Sequence, residues 1–502
     1  MTNYLETFRR ARNAAVPIII IQCPDPSSVV SKIASMSTAP SLRWNINSGI
    51  LGVNKEGEAQ ASVINDGAPP AITSANPQEA LMLALEKMGE GSILFMDNAH
   101  LLLETKEQGN LLTAITSIAN CRDPFKASRR TLVLLCPSCR VPVELINDVI
   151  VLDVALPDEG ELAAITKNIF TASELPEPSE EVLKQAVSAT RGLSAFVAEN
   201  SVAMAMRKSG LDIPILRQRK ISAINSVSGL TIIESDASFD NIGGLDQVKK
   251  YARMKISGKR KPQMFVLVDE IADQFAGLGD SNGLNRDALY QFLSHMQDHS
   301  WSGVLFNGFA GTGKTELGKA MGNESGGMFL TLDMGSMKGG IVGDSEKLIR
   351  NAMQTLYAMG GSDVFFIGTA NSIEGLPPQL RRRFDGGTFF FDLLTEQQQA
   401  PIWGLYQKKF NVSGEKPECV GWTGAEIKNV CKLADEFGVS LIEAAQFISP
   451  VVKAMGDNVE KLRESAAGKY LSASEPGYFQ TKRSVNTAAV RKMIKEPKPN
   501  QN

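Results

Sequence analysis

The sequence predicts an α/β protein built from two successive parallel-sheet modules, each followed by a helical stretch. Three observations carry that prediction. Strand-length apolar runs alternate with helix-compatible segments twice along the chain, a pattern that argues for parallel strands joined by helical crossovers. After each of these stretches the periodicity becomes helical. In the second stretch a strand also runs directly into a glycine-rich loop that opens a helix.

A chain of 502 residues exceeds what one hydrophobic core supports, so two or three domains are expected. With 43% apolar and 21% charged residues, the composition is that of an ordinary globular protein rather than a disordered or membrane-embedded one. The formal net charge of −3 supplies no general attraction to nucleic acid or to an anionic membrane. The longest apolar run near the start, residues 17–21, is too short for a signal segment or a membrane span. A cytoplasmic protein without a membrane partner is therefore expected.

The first module is expected over residues 1–155. A helix at 4–13 leads to a buried strand at 16–22, with further strands at 92–96, 131–136 and 149–154. Residues 156–225 read as a helical subdomain, clearest at 180–187 and 194–207. The second α/β module is expected over 226–394 and a helical lid over 395–480. Residues 481–502 are polar and basic, and read as a solvated tail.

Cysteine and histidine usage adds little. Cys136 and Cys139 form the one close cysteine pair, with no second pair to complete a zinc site and only His100, His295 and His299 as histidines. A plain strand-end loop is the better reading. His295 and His299 stand four apart on a predicted helix without the acidic context of a metalloprotease motif, and read as solvated surface residues.

The strongest motif is Gly308-Phe309-Ala310-Gly311-Thr312-Gly313-Lys314-Thr315, preceded by a strand at 303–306 and followed by a helix at 316–321. This is the strand, glycine-rich loop and helix that a phosphate-binding loop requires. The glycines allow successive backbone N–H groups to face inward around phosphate oxygens at a helix N-terminus. Lys314 would reach the β- and γ-phosphates of ATP, and the Thr315 hydroxyl would ligate Mg²⁺. The candidate nucleotide-binding residues here are Gly308, Gly311, Thr312, Gly313, Lys314, Thr315 and Glu316.

A hydrolase of this kind also needs a carboxylate near the magnesium shell and another to polarise the attacking water. No apolar strand ending in Asp-Glu follows Lys314. One precedes it: Met264-Phe265-Val266-Leu267-Val268-Asp269-Glu270. A strand with its return helix starts and ends at the same end of a parallel sheet, so the unit 265–299 can move ahead of the loop without breaking any pairing. The chain would then join the helix at 353–358 to the strand at 364–368 through Gly360 and Gly361. On this reading Asp269 is a metal-site residue and Glu270 the water-polarising base. The strand 264–268 should lie between the strands at 364–368 and 329–333.

These residues resemble the AAA+ ATPases. Phe239-Asp240-Asn241-Ile242-Gly243-Gly244-Leu245 resembles their lead-in segment, which implies that Ile242 and Gly243 lie beside adenine. The segment Gly343 to Arg350 resembles their second helix. Gly368-Thr369-Ala370-Asn371 resembles the sensor-1 strand end, implying that Asn371 orients the lytic water. The segment Leu376 to Asp385 resembles the arginine-finger segment, with Arg383 the better match and Arg382 a weaker one. Gly421-Trp422-Thr423-Gly424-Ala425-Glu426-Ile427 resembles the lid helix, placing Gly424 and Ala425 against adenine and ribose. The subgroup most similar is the bacterial, cyanobacterial and algal-chloroplast AAA proteins of uncharacterised role, which carry a degenerate ATPase-like module, AAA- or RecA-like, ahead of the active one. The first module fits that pattern: its first strand is followed by Cys23-Pro24-Asp25-Pro26-Ser27-Ser28, without Gly-Lys, and the strand before Asp97 ends in Asp97-Asn98 rather than Asp-Glu.

Two departures stand out. The acidic strand precedes the phosphate loop, and Gly340-Ile341-Val342-Gly343 occupies the position where threading unfoldases carry an aromatic residue. The resemblance implies an ATP-hydrolysing homo-oligomer, with the hexamer among the candidate sizes, that remodels an unidentified protein client. Two alternatives stay open: a nucleotide-gated scaffold with slow turnover, and a nucleic-acid motor or loader, against which the acidic balance weighs.

Overall fold

The computed structural model describes residues 4–481 except 104–107, 138–140, 209, 275–283, 338–343, 373–375 and 457. Cys139, the 340–343 segment and the basic tail from 482 onward lie outside the described residues. The chain divides into two compact units, Met1–Ala223 and Ile224–Asn502.

The first unit contains β1 (Ile18–Gln22), β2 (Ser41–Asn45), β3 (Gly49–Gly52), β4 (Ile93–Met96), β5 (Thr131–Cys136) and β6 (Val149–Asp153) in one sheet of order β3-β2-β4-β5-β1-β6. All pairings are parallel except the β2–β3 hairpin. Successive residues of β1 serve opposite faces: Ile18 and Ile20 enter one core, Ile19 and Ile21 the other. That alternation is why a central strand is apolar at every position. Beyond the sheet, the helices Glu159–Ala172, Glu180–Thr190, Ala195–Ala205 and Ile213–Asn225 follow, with the short antiparallel pair β7 (Met206–Arg207) and β8 (Gly210–Leu211) between the last two.

Four strands were expected here and the sheet has six. The two missed are β2, where Arg43 interrupts Leu42 and Trp44, and β3, bounded by glycines. Neither gives the continuous apolar run that marks a central parallel strand. β1 starts two residues later than expected, after Pro17, whose carbonyl accepts from Leu132 N–H at 2.8 Å.

The second unit contains β9 (Leu230–Ile232), β10 (Met264–Val268), β11 (Ser302–Gly308), β12 (Met328–Leu332), β13 (Val364–Ala370), β14 (Thr388–Phe391) and β15 (Leu471–Ser472), ordered β15-β14-β11-β13-β10-β12-β9. Only β9 is antiparallel to its neighbour. All five residues of β10 and all seven of β13 are buried. The strand β10 comes before β11 in the chain, yet pairs in parallel with β13 on one side and β12 on the other. Its return helix is Leu284–Asp298. Helix Asp344–Gly360 runs into β13 through Gly361, whose carbonyl accepts from the Trp301 indole at 2.8 Å.

After β14 the chain is helical. Helices Glu396–Lys409 and Gly424–Phe437 share a core of Trp403, Trp422 and Ile427. His295 and His299 are not solvated surface residues as expected. The His299 ring stacks on Tyr357 at 4.0 Å and packs against Trp301 at 4.9 Å, and burial pushes the His295 imidazole down to about 4.

Candidate nucleotide site

The phosphate loop leaves the buried strand β11 and closes on helix Lys314–Ser325. Gly313, the residue that opens the helix, has φ 94° and carries no side chain to cap it, so the first helical N–H groups are left for an outside acceptor. Gly311 has φ 78°, and a Cβ there would come within 2.7 Å of Thr423 Oγ1. A larger residue would therefore clash with the lid segment, which hydrogen-bonds the loop through Ala425 N–H to Gly311 O at 3.3 Å. Thr312 ties the loop to itself by donating to Phe309 O at 2.7 Å.

Lys314 is almost fully buried. Its ammonium donates to Gly308 O and Phe309 O at 2.8 Å each and to Asn371 Oδ1 at 3.0 Å. Burial pushes it down to about 8, against the opposing pull of Asp269 and Glu270. The lysine is thus a cation held in the loop by neutral oxygens, with two carboxylates nearby. A bound phosphate would supply the negative charge that the loop carbonyls only partly replace.

Asp269 and Glu270 follow the end of β10. Thr315 Oγ1 donates to Asp269 Oδ1 at 2.9 Å, and Thr369 Oγ1, from β13, donates to the same oxygen. Gln274 Nε2 donates to Asp269 O at 2.6 Å. Glu270 adopts φ 48°, an uncommon backbone for a glutamate. Thr315 and Asp269 offer oxygen only, the donor chemistry that Mg²⁺ selects, and the Thr315 proton is already directed to the carboxylate so its lone pairs are free for a cation.

One cleft of about 550 Å³ collects Ile242, Gly243, Asp269, Glu270, Gly311, Thr312, Gly313, Lys314, Thr315, Glu316, Asn371, Gly424 and Ala425. Gly308 does not line it, but its carbonyl anchors Lys314. Arg383 and Arg382 lie apart from it: Arg383 donates to Gln297 Oε1 on helix Leu284–Asp298, and Arg382 is exposed beyond the short helix Pro378–Arg381. The cleft also contains Thr369, Lys319, Tyr406, Lys409 and Lys428, which the sequence reading did not single out. Helical spacing could have flagged two of them. Lys428 sits four residues from Gly424, and Lys319 four from Thr315, so each shares a helix face with a predicted cleft residue.

Residues 4–154 match the family described as SpoVK-like AAA ATPase, N-terminal domain. Residues 304–366 match the ATPase family associated with various cellular activities, AAA. The chain carries AAA-family domains. The second match begins inside β11 and ends inside β13, which leaves β10 outside it. Among relatives, the uncharacterized AAA domain-containing protein ycf46 of Gracilaria tenuistipitata var. liui is 22% identical, aligned over 79% of this chain and 80% of its own length. The protein of the same name from Guillardia theta is also 22% identical, over 94% of this chain and 97% of its own. That from Trieres chinensis is 24% identical over 78% of each. The AAA assignment supports an ATPase-type function of a general kind.

Proposed function

We propose that the chain is a magnesium-dependent ATPase that assembles as a homo-oligomer and remodels a protein partner. The observation that carries the catalytic part is the convergence of Lys314, Thr315, Asp269, Glu270 and Asn371 in one cleft beneath a helix N-terminus. In this reading the loop amides and Lys314 hold the β- and γ-phosphates. Mg²⁺, when bound by Thr315 with Asp269 behind it, would neutralise charge on the phosphate oxygens. Glu270 accepts a proton from water as the water oxygen bonds to the γ-phosphorus, and the bond from that phosphorus to the β–γ bridging oxygen breaks, giving ADP and phosphate. Asn371 orients the water. Ile242, Gly243, Gly424 and Ala425 enclose the base and sugar.

The oligomer rests on Arg383. Held by Gln297 away from the cleft of its own chain, it is available to the γ-phosphate of a neighbouring subunit, with Arg382 the second candidate. The domain division at 1–155, 156–225, 226–394 and 395–480 belongs to the same proposal, with the first segment as a non-catalytic docking or assembly module. No helix among the described residues is long and apolar enough to cross a membrane, and a cytoplasmic site of action is part of this proposal.

Glu270→Gln tests the assignment. Binding should persist while turnover falls by roughly 100-fold or more, as expected for loss of a general base. A variant that hydrolyses ATP at the wild-type rate would remove Glu270 from the chemistry and take the acidic-strand reading with it. The same variant, locked with ATP bound, is the bait for isolating the client.

A further inference from the structure

We propose that Thr369 is a positioning residue that ties Asp269 and Glu270 into one fixed pair, a role that rests on the ATPase reading above. Thr369 lies in β13 and is almost completely buried. The parallel register sets Val268 opposite Gly368, so the next residue of each strand brings Thr369 alongside Asp269. Its hydroxyl donates to Asp269 Oδ1, and Thr369 Oγ1 in turn accepts the Glu270 N–H at 2.9 Å. A threonine hydroxyl has one proton and two lone pairs. Here the proton is committed to the carboxylate and a lone pair to the amide, which fixes the direction of both bonds. Thr315 donates to the same Oδ1 at 2.9 Å. The two hydroxyls therefore converge on one oxygen of Asp269 and leave Oδ2 for other ligands.

The amide bond matters because Glu270 turns the chain at φ 48°, a conformation for which glutamate has no preference. The first unit supplies an internal control. There Met96 pairs with Leu134, which places Leu135 beside Asp97 in the position Thr369 holds beside Asp269. Asn98 takes φ 54° at the place of Glu270, and asparagine visits that region readily. The turn alone thus needs no hydroxyl in the neighbouring strand. A buried threonine stands there only in the unit whose strand ends in two carboxylates.

The test compares wild type with Thr369→Val, which keeps the shape and removes the hydroxyl, and with Thr369→Ser, which restores it. Turnover is measured with ATP affinity in EDTA and the gain in ATP affinity on adding Mg²⁺. Thr369→Val should lose roughly 10- to 100-fold in turnover, the scale of a misplaced catalytic group. It should lose most of the magnesium gain and keep its affinity in EDTA, with Thr369→Ser within about threefold of wild type on every measure. If the valine variant keeps both turnover and magnesium gain, the tie is overturned and the ATPase reading stands. If the valine and serine variants both lose affinity in EDTA, Thr369 serves the fold and the proposal fails. If wild type itself shows no turnover, the ATPase reading falls and the magnesium gain decides the tie alone: lost in valine and kept in serine supports it, equal in all three overturns it.

Discussion

The two units carry sheets of the same spatial order, and they differ in what fills the same place. Read from one edge, β6-β1-β5-β4-β2 in the first unit parallels β14-β11-β13-β10-β12 in the second. In the second unit the helix after β11, the counterpart of β1, opens on Gly313, bare of any side-chain cap. In the first, Asp25 caps the matching helix with its own carboxylate, accepting from Ser28 N–H at 3.2 Å. The acidic position differs in the same sense. Asp269 is approached by two neutral hydroxyls, whereas Asp97 is neutralised by Arg43 at 2.8 Å, which also reaches Ser27 at 3.2 Å. One unit leaves its helix N-terminus uncapped and its carboxylate without a cationic partner, and the other caps its helix and pairs its carboxylate with its own side chains. The same spatial order of strands thus yields open strand ends or self-satisfied ones, depending on a few residues.

The sharpest way to break this comparison is to count nucleotides. The intact chain should bind one ATP, and Lys314→Ala should bind none, with affinity down by at least about 100-fold through loss of a buried charge-assisted contact. Calorimetric titration of both proteins gives the stoichiometry directly. Residual binding of one equivalent in Lys314→Ala would mean that the first unit holds nucleotide, and that Asp25 does not fill its site.

A second experiment addresses the closed site. Asp97→Ala leaves Arg43, which is 28% exposed, without its carboxylate. Removing one partner of a half-buried, charge-assisted pair should cost about 1–3 kcal/mol. A chemical denaturation curve followed in the first unit would show that loss, with ATP turnover unchanged. A fall in turnover with no loss of stability would mean the pair serves the other unit's chemistry.

The third is a pH effect of about tenfold. Lys314 stands at about 8 rather than 10.5 because burial disfavours its charge, while bound phosphate favours the charged form. In the free protein it loses its proton as pH rises through about 8, so ATP affinity should fall by about tenfold per pH unit above that point. The stability term has the opposite sign. Between about 8 and 10.5 the unfolded chain holds this proton and the folded chain does not, so the group adds stability as pH rises through that window. Lys314→Arg, charged throughout, should bind more weakly but without the decline. An equal decline in both proteins would assign the titration to another group.

How much of this was legible in the sequence follows a physical line. Central strands such as β10 and β13 are buried on both faces and so read as unbroken apolar runs, and the place of β10 between β13 and β12 followed from the rule that a strand and its return helix form a movable unit. Hairpin and edge strands such as β3 and β15 are short and need a partner to exist, so their sequences carry little periodic signal. The loop from Gly308 to Thr315 was legible because its chemistry is local. Thr369 was not, since its role depends on a register between strands that no local pattern encodes, and Lys409 depends on where its lid helix lies.

The smallest effect tests whether the turn after each acidic strand is the same device. Asn98 and Glu270 share left-handed φ values of 54° and 48°, but only Glu270 has a side-chain hydroxyl accepting its amide. If the backbone at Asn98 is fixed by the fold, Asn98→Ala should cost about 1 kcal/mol, because alanine lacks asparagine's tolerance for that region. Asn98→Gly should cost less than alanine or nothing, since glycine adopts the region without steric penalty and gives back only some chain entropy. The order glycine above alanine in denaturation midpoint, reversed from the usual ranking of the two, is therefore the signature of the turn. If alanine proved the more stable variant, the left-handed backbone at Asn98 would be dispensable, the likeness between the two strand ends would be accidental, and the first unit would lose its standing as an internal control for Thr369.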